Sequence, residues 1–132
     1  MKDRLLKSLA RLSSERYQDA FIVHGTKSEY VLPEDLVEDV ASLCTLAQRE
    51  DHRTEFVSDE LVALGQMLSE IRSRGRRIFA AAAPTTAAAL VHESQEWLAL
   101  RAEARRCLAT FCVDADDFVK EEINQKEAPT SR

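Results

Sequence analysis

Apolar side chains recur along this chain at helical spacing. Between Pro33 and Ala47 they fall at Leu36, Val37, Val40, Leu43, Cys44 and Ala47, or i, i+1, i+4, i+7, i+8 and i+11. At about 100° per residue those positions form one stripe, which predicts a helix with a single buried face. Pro33 suits its first turn, where the N–H that proline lacks would have no partner anyway. Glu34, Asp35, Glu38 and Asp39 place negative charge toward the positive end of the helix dipole.

The same pattern extends in both directions. Leu5, Leu6, Leu9 and Leu12 predict a first helix, with Lys2, Arg4, Lys7 and Arg11 largely on its other face. Ser13 or Ser14 caps a second helix, Glu15 to His24, in which Tyr17, Ala20 and Phe21 face inward and Gly25 terminates the run. A short hairpin near residues 21–32 competes with that reading. Phe21, Ile22, Val23, Tyr30 and Val31 are all strand formers, but their alternation is poor, and helix is preferred. After a polar link at residues 49–54, Ser58 reads as the cap of a helix with Leu61, Leu64, Leu68 and Ile71 on its seam. Gly65, inside that seam, suggests close approach by a neighbouring helix, and Gly75 suggests a helix end or a bend.

Pro84 breaks any helix begun in the alanines at 80–83, and a threonine caps the next helical run. Leu90, Val91, Trp97, Leu98, Ala104, Leu108, Phe111 and Cys112 then read as one long segment. Asp114 caps a short closing helix with Phe118, Val119 and Ile123 inward. These elements predict an all-α fold, an irregular bundle of about five helices over residues 1–126, followed by a flexible polar tail at 127–132.

Composition narrows the class further. The chain has 132 residues, 45% hydrophobic and 31% charged, the balance of a folded single domain rather than a disordered chain. Its net charge of −5 is unevenly spread: residues 19–60 carry −8 and residues 61–79 carry +3. An acidic surface is repelled by phosphate backbones, which argues against nucleic-acid binding. No apolar run approaches the ~20 residues that span a bilayer, so no membrane association is expected. Three cysteines without a CxxC pair, Cys44, Cys107 and Cys112, read as free thiols on or near apolar stripes. Free thiols place the chain in a reducing compartment, the cytoplasm.

Chemistry-bearing motifs are sparse. His92-Glu93-Ser94-Gln95-Glu96 stops short of the zinc-protease helix, which needs histidine at i and i+4 so that two imidazoles share a face. The His92–Glu96 pair reads instead as a surface hydrogen bond. No Glu-x-x-His pair of a di-iron bundle, no Gly-x-Ser-x-Gly elbow, no glycine-rich phosphate loop and no calcium loop occurs. No catalytic residue, no metal and no cofactor is therefore expected.

Two charged groups remain. Arg72, Arg74, Arg76 and Arg77 bring four guanidinium groups into six residues, a candidate site for a small anionic ligand or nucleotide if the chain bends at Gly75. Glu34, Asp35, Glu38 and Asp39 form a candidate acidic surface for a basic protein partner. The expectation is a non-catalytic helical regulator or adaptor that acts through protein–protein contact, with the arginine cluster as the alternative site. The seams at Leu5–Leu12 and Leu61–Ile71 also offer a route to a homodimer.

Overall fold

The computed structural model describes residues 1–26, 29–79 and 86–127. Its regular structure is helical throughout: α1 (Lys2–Ser13), α2 (Glu15–Gln18), a π-helical turn (Asp19–Val23), α3 (Pro33–Ala47), α4 (Glu50–Arg53), α5 (Ser58–Ile78), α6 (Ala87–Glu93), α7 (Gln95–Thr110) and α8 (Ala115–Glu127). Among the described residues there is no strand.

The four long helices α1, α3, α5 and α7 close into a ring. α1 packs on α3, α3 on α5, α5 on α7, and α7 back on α1. α8 lies along α1, while α6 sits against the π-turn and α7. The leucine stripes meet inside this ring. Leu5, Leu9, Leu12, Leu64, Met67, Trp97, Leu100 and Leu108 are buried in one continuous core with Val40, Cys44, Val119 and Ile123. Each such leucine contributes about 1.5–3 kcal/mol by leaving water.

Capping side chains set the helix boundaries. Ser14 Oγ accepts from Tyr17 N–H at 3.1 Å, Thr86 Oγ1 from Ala89 N–H at 3.0 Å, and Ser94 Oγ from Trp97 N–H at 3.2 Å. Asp114 Oδ1 accepts from Asp116 N–H at 3.0 Å, opening α8. At α5 the flanking residue is Val57 and Ser58 is already helical. Its backbone donor is satisfied from the other side, by Glu60 Oε1 at 3.0 Å from Val57 N.

Several expectations are corrected. The bundle has eight α-helices among the described residues rather than about five. Ser94 divides the last long segment into α6 and α7, and the polar link holds the one-turn α4; the break at Ser14 is the expected one. A single capping residue ends a helix without interrupting the apolar stripe, so periodicity alone runs through it. The described residues of 21–32 form no hairpin. One backbone bond, Val31 N–H to Phe21 O at 2.9 Å, joins the two arms, and residues 27–28 lie outside the described residues.

Gly75 does not end α5; the helix continues to Ile78. Gly65 is not crowded either, since a methyl group there would meet only Gln48 Nε2 at 3.9 Å. Cys112 is exposed rather than on an apolar stripe. Pro84, Thr85, the alanines at 80–83 and the tail beyond Glu127 lie outside the described residues.

Candidate functional site

The acidic surface lies on the first two turns of α3. Glu34, Asp35, Glu38 and Asp39 are all exposed, because Leu36, Val37 and Val40 take the inward positions of the same turns. None of the four forms an ion pair among the described residues. Tyr30 and Leu32, each 46% exposed, stand immediately before the helix. One short segment thus presents four free carboxylates beside an exposed aromatic and an exposed aliphatic side chain.

The arginines do not converge on one cleft. Arg74 Nε bonds Glu70 Oε2 at 3.1 Å, one turn back, and its Nη1 lies 3.4 Å from Glu96 Oε1 on α7. Arg77 Nε lies 3.5 Å from Glu96 Oε2, and its Nη2 donates to Ser73 O at 3.1 Å. Two guanidinium groups therefore share one carboxylate and tie α5 to α7. Arg72 and Arg76 are exposed and form no ion pair among the described residues. Arg72 borders a shallow groove between α3 and α5 with Ala41, Leu46 and Leu68.

The densest polar arrangement lies elsewhere, where α2, the π-turn, α6 and α7 meet. Gln18 is fully buried at its centre. Its Nε2 donates to Leu12 O at 2.7 Å and Arg11 O at 3.1 Å, and so caps the end of α1. Its Oε1 accepts from Trp97 Nε1 and from Arg101 Nη1, both at 3.0 Å. Arg101 Nη1 also donates to Val91 O at 3.0 Å. Burial pulls the Arg101 pKa below the ordinary guanidinium value, and Glu15, whose Oε2 is 3.9 Å away, pulls it back up.

At the surface above this network stands His92. Its Nδ1 is 3.1 Å from Glu15 Oε2 and its Nε2 is 2.7 Å from Asp19 Oδ1. Glu15 and Asp19 are four residues apart and share a face. Asp19 also opens the π-turn, in which His24 N–H reaches back to Asp19 O at 2.9 Å. All three side chains are about half exposed. The expected His92–Glu96 pair is corrected: Ser94 breaks the helix between them, and Glu96 turns to Arg74 and Arg77.

Sequence reasoning missed Glu15, Gln18 and Asp19. Ser14 as a cap is the one local signal near them, and it marks the chain break that lets Glu15 and Asp19 face α6.

An open groove of about 510 Å³ runs from Ser13 and Ser14 to the start of α8. Its walls mix Arg16 and Arg105 with Glu15, Asp114 and Asp116. No helix among the described residues is long and apolar enough to cross a membrane. Comparison with protein-family models, curated proteins and solved structures finds no match to this chain.

Proposed function

We propose that this chain is a non-catalytic interaction protein, a regulator or adaptor whose partner surface is the start of α3 with Tyr30 and Leu32. The observation that carries the reading is local density: four exposed carboxylates without an ion pair among the described residues fall within six positions of one helix. Glu122, Glu60, Glu70 and Glu96 are engaged by Arg11, Lys2 and Arg74. Those at 34, 35, 38 and 39 are left to solvent. Unpaired charge steers a basic partner into place, and an adjacent tyrosine and leucine supply contact area that charge alone lacks. Such a partner would be a basic protein, and the cytoplasm is the proposed location.

The test is affinity capture with the wild-type chain and with the quadruple variant Glu34→Gln, Asp35→Asn, Glu38→Gln, Asp39→Asn. A partner retained by the first, lost from the second, and released by raised salt supports the reading. Equal recovery by both proteins, with equal melting temperatures, refutes it.

An anionic-ligand site at the arginines is the second reading. It rests on Arg72 and Arg76 alone, because Arg74 and Arg77 are already neutralised by Glu70 and Glu96. Self-association is a further proposal. Leu5, Leu9, Leu12, Leu64 and Ile71 are buried within one chain, so a homodimer would use Val57 and Val62, which are 62% and 59% exposed.

A further inference from the structure

We propose that Glu15, Asp19 and His92 form a binding site for a first-row divalent transition metal of the Zn²⁺ class. The inference is independent of the α3 surface. One ligand atom from each of the three lies within 4.8 Å of the other two. Imidazole nitrogen with carboxylate oxygen is a donor set that suits zinc and its neighbours. Calcium and magnesium prefer oxygen alone.

The fold brings these donors together from distant sequence. Glu15 and Asp19 occupy successive turns of one continuous helical stretch. His92 comes from α6, which packs on the π-turn. Below them Gln18 holds Arg101, and Arg101 holds the backbone of α6 at Val91 O. That buried tie fixes α6 against α2, so the donors are positioned by packing rather than by their own mutual contacts. Two carboxylates flank the imidazole, and charge of that sign attracts a cation.

The adjustment required is small. Ligands about 2.0–2.1 Å from a tetrahedral zinc stand roughly 3.3 Å from one another. The 2.7 Å contact between His92 Nε2 and Asp19 Oδ1 would open by about half an ångström, within the reach of side-chain rotation at a half-exposed site. Glu15 now stands at His92 Nδ1, the ring nitrogen opposite the one that Asp19 faces, and as a ligand it would exchange that contact for the metal by rotation of its 49% exposed side chain. Water completes the coordination. The metal takes the lone pair of one ring nitrogen, and the other nitrogen keeps its N–H.

A second histidine provides the internal control. His52 also lies between carboxylates, with Nδ1 3.3 Å from Glu55 Oε2 and Nε2 3.8 Å from Asp51 Oδ2. Its three groups sit on and after a single-turn helix, Glu55 is engaged by Lys2 N–H at 3.3 Å, and they do not gather into a ligand set.

The experiment is titration of the full chain with Zn²⁺ by calorimetry and with Co²⁺ by visible absorption. Wild type, His92→Gln, Asp19→Asn, Glu15→Gln, His52→Gln and Cys112→Ser are compared. Wild type and the His52 and Cys112 variants are expected to bind one Zn²⁺ equally. Each change at 15, 19 or 92 is expected to weaken binding more than about tenfold, because one of three protein ligands is gone. Metal-free circular dichroism shows whether a variant is folded. The three substitutions are independent, so one unfolded variant leaves two that still decide. Equal affinity for wild type and the three site variants overturns the proposal, as does no binding at millimolar Zn²⁺. In the last case the three side chains are a hydrogen-bonded clamp only.

Discussion

The indole Nε1 of Trp97 donates to the side-chain oxygen of Gln18 at 3.0 Å, in a site from which water is excluded at both residues. This bond joins α7 to α2. The same oxygen accepts from Arg101, and the amide nitrogen of Gln18 satisfies two carbonyls of α1. No buried side-chain nitrogen or oxygen among the described residues lacks a partner. A fully satisfied polar network inside an apolar core fixes one arrangement of the helices around it.

Removing Gln18 should therefore cost more than its own bonds. Gln18→Leu roughly keeps the volume but removes the partner of the Trp97 N–H, of one Arg101 N–H and of the carbonyls of Arg11 and Leu12. A loss of about 3 kcal/mol or more is expected, since each unsatisfied buried group costs about 1–3 kcal/mol. Trp97→Phe removes the indole donor. The double variant should lose less than the sum of the two single losses, because phenylalanine has no N–H to strand. Urea unfolding of the four proteins measures the coupling. Additivity within about 0.3 kcal/mol would show that the bond contributes nothing.

The three glycines divide by their surroundings. A methyl group at Gly75 would meet nothing within 4 Å, and one at Gly65 only Gln48 Nε2 at 3.9 Å. Both lie inside α5, so alanine at either should raise stability by up to about 1 kcal/mol, and the two gains should add. At Gly25 a methyl would stand 2.5 Å from Tyr30 Cδ1 and 2.6 Å from Phe21 O. The tyrosine ring can turn away, but the carbonyl is backbone and cannot. Gly25→Ala is expected to destabilise by about 1–3 kcal/mol. Thermal melts of the three single variants test the ordering; a destabilised Gly75→Ala would contradict it.

The sequence discloses here the features that repeat locally. The bounds of α3 follow from Pro33 and an unbroken stripe, and the caps at Ser14 and Asp114 are visible as serine or aspartate before an apolar run. Ser94 is not visible in that way, because Leu90, Val91, Trp97 and Leu98 keep helical phase across it. The polar cluster is illegible for a different reason. His92 and Glu15 are 77 positions apart, and each has nearer charged residues that look like better partners. Glu96, four positions from His92, instead joins Arg74 and Arg77. Gln18 sits among Tyr17, Phe21 and Ile22, and no one-dimensional pattern tells a buried glutamine from a solvated one.

The thiols should separate sharply by reactivity. Burial pushes Cys44 and Cys107 up to about 12 from an ordinary 9.0, and each is closed off from solvent. Cys112 is exposed. At pH 8 a disulfide reagent should modify one thiol per folded chain promptly and the other two only on unfolding. The same shifts set a pH dependence. Below pH 9 both buried thiols are neutral in folded and unfolded chains alike, so stability is unaffected. Between about 9 and 12 the unfolded chain ionises them and the folded chain does not. Stability should fall across that window by about 1.4 kcal/mol per pH unit for each thiol. Denaturant midpoints at pH 8, 9, 10 and 11 for wild type and Cys44→Ala/Cys107→Ala read the effect; a common slope for both would refute it.

Cys112 carries a second consequence through its backbone. Its φ of 57° makes it the one non-glycine residue with positive φ among those described. It lies just beyond the last turn of α7, where Phe111 N–H bonds Leu108 O at 2.9 Å and Cys112 N–H bonds Ala109 O at 3.0 Å. A left-handed residue just past a helix end is the position glycine fills in most proteins, because Cβ crowds the carbonyl there. The strain amounts to about 1–2 kcal/mol. Replacing Cys112 by glycine removes the strain, and part of the gain returns to the unfolded chain as added freedom. The net expectation is a rise in stability of about 0.5–1 kcal/mol, together with loss of the one reactive thiol. Cys112→Ala should lose the thiol with no such rise, since alanine keeps the Cβ. Equal melting temperatures for the glycine and alanine variants would show that the left-handed turn carries no strain.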